Sequence, residues 1–130
     1  MKIVRWNGCA LDVLRSFPDE VKSEVGFSLE AAQRGGKALN AVPLVGFSGA
    51  GVVEIISNFD GDTYRAVYTV RYSETVYVIH AFKKKSTRGI ATPRRELNLI
   101  RKRLSLIEAQ EAQKKKKESA AEPQNVKSKR

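Results

Sequence analysis

Six side chains of this 130-residue sequence hold most of its chemical potential: Arg65, His80, Lys83, Lys84, Lys85 and Arg88. Arg65 and His80 fall in successive strand-like runs, and the other four follow the second run directly. If those strands are neighbours, the cations converge on one face or one end of a sheet, where they suit a phosphodiester. An arginine grips two phosphate oxygens at once and offsets charge developing at phosphorus, while lysines add compact positive charge. In RNA the substrate's own 2′-hydroxyl serves as nucleophile. The protein then has to align it, neutralise a phosphorane-like state and move protons.

The same residues have plainer readings. His80, whose ordinary titration range is near neutral, is either a proton carrier or a hydrogen-bonded strand residue. Arg65 is either a phosphate ligand or a scaffold arginine paired with Glu54. The Lys83–Lys85 run with Arg88 is either a binding surface or a solvated cationic face. Tyr64, Tyr68, Tyr72 and Tyr77 are sheet residues first, and any exposed one is a platform for a base. One histidine and the distant Cys9 offer no compact metal-ligand set, so neither metal nor cofactor is expected. The glycines at 46, 49 and 51 lack the lysine of a phosphate-binding loop and the GxGxxG spacing of a dinucleotide site. Cys9 has no disulfide partner and reads as a small, semi-buried apolar residue.

Positioning such a site requires a particular set of elements. Residues 2–6 form a short strand candidate. Leu11, Leu14 and Phe17 give a first helix that ends before Pro18. Pro18, Asp19 and Glu20 suit a second helix start, which Val21, Val25, Leu29 and Ala32 continue until Gly35-Gly36. Residues 37–51 read as a connecting loop. Three strands then follow at 52–58, 64–70 and 76–82, with Asp60-Gly61-Asp62 as a hairpin turn. Connections this short make neighbouring strands antiparallel. Strict alternation places Tyr64, Ala66 and Tyr68 opposite Arg65, Val67 and Thr69, and groups His80 with Val76 and Val78. Thr92 is the expected cap and Pro93 the first residue of a helix reaching about residue 113, with Leu97, Ile100, Leu104 and Ile107 as its apolar stripe. The fold class is therefore α+β: an N-terminal helical hairpin packed on a twisted antiparallel sheet, followed by a C-terminal helix.

Charge is unevenly distributed along the chain. Residues 83–103 hold nine Lys or Arg and one acid, against eight basic and nine acidic side chains in residues 1–82. That focus is the footprint of a polyanion partner, with Lys83, Arg88, Arg94 and Arg95 as RNA contacts. Residues 1–113 are expected to form the domain and 114–130 a basic, disordered tail, because its large apolar content is confined to Val126. No apolar run approaches the ~20 residues of a membrane span and no signal-like segment opens the chain. A cytoplasmic protein without a membrane partner is expected.

Several of these features occur together: Gly51-x-x-Glu54, Tyr64-Arg65, a strand ending His80-Ala81-Phe82-Lys83-Lys84-Lys85-Ser86, then Thr92-Pro93 and Glu96. With Phe17-Pro18 and Gly35 they make residues 2–107 resemble the phage-derived host-inhibition, HigB-like toxins of the RelE/ParE superfamily. The resemblance implies a type II toxin-antitoxin toxin, a metal-independent endoribonuclease that cuts messenger RNA on the ribosome and is held by a cognate antitoxin. It carries Arg65, His80, Lys84 and Lys85 over as catalytic. Ile56 stands where the family pattern often has an arginine. Related ParE-like toxins act on DNA gyrase, and a non-catalytic binding module is the third alternative.

Overall fold

The computed structural model describes residues 1–47, 49, 51–85 and 91–127, with side chains as far as residue 118. The chain divides into two compact units, Met1–Arg94 and Arg95–Arg130.

The first unit contains β1 (Ile3–Trp6), α1 (Ala10–Arg15), α2 (Asp19–Gln33), β2 (Ala41–Pro43), β3 (Val52–Phe59), β4 (Asp62–Thr69) and β5 (Thr75–Lys84). The strands form one sheet in the order β1-β5-β4-β3-β2. The helical pair on a sheet follows the expected α+β arrangement. Two details differ. β1 pairs with β5 in parallel, because side-chain alternation fixes a strand's faces and leaves its direction open. Within the expected loop, Ala41–Pro43 adds an edge strand on β3. Three residues ending in proline give little alternation to detect, and proline is tolerated at an edge.

The pair α1 and α2 packs across one sheet face. Asp19 and Glu20 occupy the first turn of α2, where its exposed N–H groups favour negative charge, and the helix has no side-chain cap. Its spacing of three and four buries Val21, Val25, Leu29 and Ala32 against Val53, Ile55, Tyr64, Ala66, Tyr68, Val76 and Val78. Each fully buried aliphatic side chain contributes about 1.5–3 kcal/mol. Phe17 meets the ring of Tyr64 edge-on at 4.9 Å, fixing the turn between the helices over β4. Cys9 is exposed instead of semi-buried, since it lies at the cap of α1, one residue before the buried Ala10.

Two backbone positions set the hairpins. Asp60 and Gly61 both have positive φ, 52° and 82°, and join β3 to β4 through the two-residue turn that matches strand twist. Gly51, at φ 65°, precedes β3 where a Cβ would come within 2.5 Å of the Arg71 Cβ. Its carbonyl accepts the N–H of Val70 at 2.8 Å.

The element α3 spans Arg94–Lys127, passing well beyond the expected end near residue 113 and through the segment expected to be disordered. Residues 108–122 are nearly all Ala, Glu, Gln and Lys, strong helix formers that sustain a helix without an apolar stripe. Nearer its start, Ile100, Leu104 and Ile107 are buried. Among the described residues no helix is long and apolar enough to cross a membrane.

Candidate functional site

The face of the sheet opposite α1 and α2 carries the polar residues. In the β3–β4 ladder Glu54 stands across from Val67 and Ile56 from Arg65, so Glu54, Arg65 and Val67 share this face. Arg65 also faces Phe82 of β5, and Thr63 faces Lys84.

His80 reaches the same face through an irregularity. Val67 pairs with His80 but Tyr68 pairs with Val78, leaving Ile79 as an extra residue on β5. This β-bulge shifts the side-chain phase by one. Val76, Val78 and Ala81 therefore belong to the helix-covered core, while His80, Phe82 and Lys84 lie on the Arg65 face. Strict alternation, which grouped His80 with Val76 and Val78, fails at this point. His80 is 7% exposed, and its ring stacks on Phe82 at 5.3 Å.

Arg65 lies in a buried polar cluster. Its side chain is 1% exposed, and its Nη1 is 3.4 Å from Glu54 Oε1 and 3.3 Å from the Thr92 hydroxyl oxygen. That hydroxyl in turn is 3.0 and 3.2 Å from the two Glu54 oxygens. The scaffold pairing of Arg65 with Glu54 is thus realised. A guanidinium this sealed has no direct reach to phosphate in this structure. Burial pushes the Glu54 carboxyl above its usual range, opposed chiefly by the Arg65 charge and the Thr92 hydrogen bond, and more weakly by Lys84. Thr92, expected to cap α3, directs its hydroxyl to Glu54, and the helix opens two residues later at Arg94.

At the end of β5 the cations separate. Lys84 is half-buried and directs Nζ to the Ala91 carbonyl at 3.4 Å. Lys85 is exposed immediately beyond. Lys83 pairs with Tyr64 and so belongs to the opposite face. It lies 3.2 Å from Asp62 and over the Tyr64 ring at 5.6 Å. The Asp62 hydrogen bond and charge push its pKa upward. Lys83 is accordingly removed from the Arg65 cluster by the same alternation that brings Lys84 to it. Arg88 lies outside the described residues. Arg94 and Arg95 are exposed at the start of α3. Tyr64, Tyr68 and Tyr77 are buried, and Tyr72 sets its ring edge-on against Tyr77 at 5.6 Å, which withdraws them from base stacking. Among the described residues no cluster of His, Cys, Asp and Glu could hold a metal ion.

Glu54, Arg65 and Thr92 thus meet in space although 11 and 27 positions separate the successive residues. A family model, Phage derived protein Gp49-like (DUF891), matches residues 12–105. The chain belongs to this family. The matched region of the Gp49-like chain includes the whole buried cluster, the bulge and Lys83–Lys85. No curated protein and no solved structure matches it. The sequence marks Thr92 only as the residue before Pro93 and the start of α3. Its motif position was visible, but a hydroxyl 38 residues from Glu54 gives no local signal of that contact.

Proposed function

We propose that this Gp49-like protein is a HigB-like toxin of a type II toxin-antitoxin pair that cleaves ribosome-bound messenger RNA. The observation that supports this reading best is the register of β5. Its bulge puts His80, Phe82 and Lys84 on one face beside Arg65, with Lys85 exposed at the strand end.

In this proposal the scissile phosphate lies above Phe82, and since Phe82 and His80 are each only 7% exposed, RNA binding has to displace the residues that cover them. Two residues in either direction along a strand cover about 7 Å, so His80 and Lys84 flank that position. The Lys84 ammonium exchanges its long contact with the Ala91 carbonyl for a phosphate oxygen, a charge-assisted bond roughly twice as strong. Lys85 holds the neighbouring phosphate. The 2′-oxygen attacks phosphorus and loses its proton, and the bond to the 5′-oxygen breaks. That leaves a 2′,3′-cyclic phosphate and a protonated 5′-hydroxyl. His80 moves the proton between the two oxygens. Arg65 is a positioning residue: it secures Glu54 and, with it, Thr92 at the edge of the site.

The test is 5′-end mapping of cellular messages after controlled expression of the parent and of Lys84→Ala. Cuts within translated messages that disappear in the variant are the expected result. Equal cutting by both proteins overturns the role of Lys84. Relaxed DNA without message cleavage would overturn the nuclease reading in favour of gyrase inhibition.

A further inference from the structure

The exposed side of α3 has a feature that the sheet site does not use. Arg94, Arg95, Arg101, Lys102 and Lys116 are all exposed, at offsets of 7, 14 and 15 residues that keep them on one side of a helix. The positions that fill the stripe between them, 98, 105, 109, 112 and 113, are exposed and neutral. Glu96, Glu111 and Glu118 project from other sides at 100° per residue, and Glu108 falls at one margin. A helix rising 1.5 Å per residue makes this cationic stripe about 33 Å long.

From this we infer that the exposed stripe of α3 is a docking surface for the phosphate backbone of double-helical RNA. Charge complementarity selects a polyanion, and a stripe this long spans many successive phosphates of a duplex. The absence of aromatic residues from Arg94–Lys127 selects among RNA forms. Single-stranded RNA is held by bases stacked on aromatic side chains, whereas a double helix keeps its bases inside and presents fixed phosphates. A helix with fixed cation spacing suits the second. Assignment to RNA in preference to DNA rests on the function proposed above. The stripe would hold structured RNA independently of the residues that act on the message.

The decisive experiment uses the full chain and the variant Arg95→Gln/Arg101→Gln/Lys102→Gln/Lys116→Gln, with circular dichroism to verify equal helix content. The probe is a labelled hairpin of 2′-O-methyl RNA, which has no free 2′-hydroxyl to be cleaved, and affinity is followed across salt concentration. Losing up to four phosphate contacts should flatten the slope of log affinity against log salt by about 3, so that a rise from 50 to 200 mM salt weakens the parent roughly 60-fold more than the variant. An unchanged slope overturns the docking surface. A DNA duplex of matching sequence bound as tightly as the RNA overturns the assignment to RNA, and a single strand bound more tightly than the hairpin overturns the double-helical form. Message cleavage lost in Lys84→Ala together with an unchanged salt slope here would leave the nuclease reading intact and remove this one. A flattened slope with no cleavage by the parent would do the reverse.

Discussion

Arg65→Ala is expected to damage the fold before it reports on catalysis. The guanidinium and the Glu54 carboxylate are 1% and 4% exposed and 3.4 Å apart. At an effective dielectric near 20, that separation corresponds to about 5 kcal/mol of attraction, and removing one member of a buried pair costs about 3–5 kcal/mol. The lower end applies here. The contact is longer than the ~2.8 Å of a strong charge-assisted bond, Thr92 remains as a donor to Glu54, and the carboxyl can take up a proton. A loss of about 3 kcal/mol would lower the midpoint of thermal unfolding by roughly 12–24 °C in a domain of this size. Proton uptake also sets the sign of the pH dependence. Burial already raises the folded-state pKa of Glu54 above its ordinary 4.5, so its contribution is fully present below that pH and is lost as pH rises through the folded pKa. Without Arg65 the folded pKa moves higher still and the window of loss extends upward. The stability gap between parent and variant therefore widens with pH, by at most ~1.4 kcal/mol per unit, and narrows in acid. Urea unfolding of both proteins at mildly acid and mildly alkaline pH measures this directly. Arg65→Met/Glu54→Leu should be more stable than Arg65→Ala, since no charge is left buried alone. Parent-like stability of Arg65→Ala, or a gap independent of pH, would refute the account of the cluster.

Other consequences can be checked with single substitutions. Lys84→Ala should leave stability within about 0.5 kcal/mol and, on the proposed function, slow message cleavage about 10- to 100-fold, the equivalent of one charged hydrogen bond; quantified primer extension measures it. Thr92→Val keeps the side-chain shape but removes the hydroxyl between Glu54 and Arg65, and should cost about 1–3 kcal/mol in chemical unfolding. Tyr68→Phe should be neutral or stabilising by up to ~1 kcal/mol. The Tyr68 hydroxyl is buried with no hydrogen-bond partner among the described residues, and its burial pushes the pKa up to about 12. A marked loss of stability in calorimetry would mean that the hydroxyl has a partner. Gly51→Ala forces a Cβ against Arg71 at positive φ and should cost at least ~2 kcal/mol, whereas Gly61→Ala, with open space around it, should cost only about 1 kcal/mol.

What could be read from the sequence divides along a physical line. Local rules placed α1, α2 and three strands, because apolar spacing, Pro18, Gly35 and the Asp60-Gly61 turn each act over a few residues. The same rules put His80 on the wrong face. A bulge is invisible to alternation, since Ile79 is as apolar as the ladder residues around it and only the partner strand reveals that it is extra. The site depends on that one residue being extra. Were Ile79 a ladder residue, His80 would enter the core with Val76 and Val78, and Arg65 would face a different neighbour. Deleting Ile79 should therefore close the bulge, joining Val78 to His80 across from Tyr68 and Val67, and keep His80, Phe82 and Lys84 on the Arg65 face. Deleting the ladder residue Ala81 should instead slip the end of β5 by one position, bringing Lys83 to the Arg65 face and sending Lys84 against the helical pair, where a buried charge is costly. The Ile79 deletion is expected to keep the register at the cost of one buried side chain, whereas the Ala81 deletion is expected not to fold, with hydrogen exchange losing the protection of β4 and β5 together. Substituting Ile79→Val instead preserves the residue count and should cost only about 0.5–1.5 kcal/mol, because volume changes while phase does not. Tolerance of the Ala81 deletion with native-like exchange would mean that the phase of β5 is set elsewhere, and the shared face of Arg65, His80 and Lys84 would then lose its structural basis.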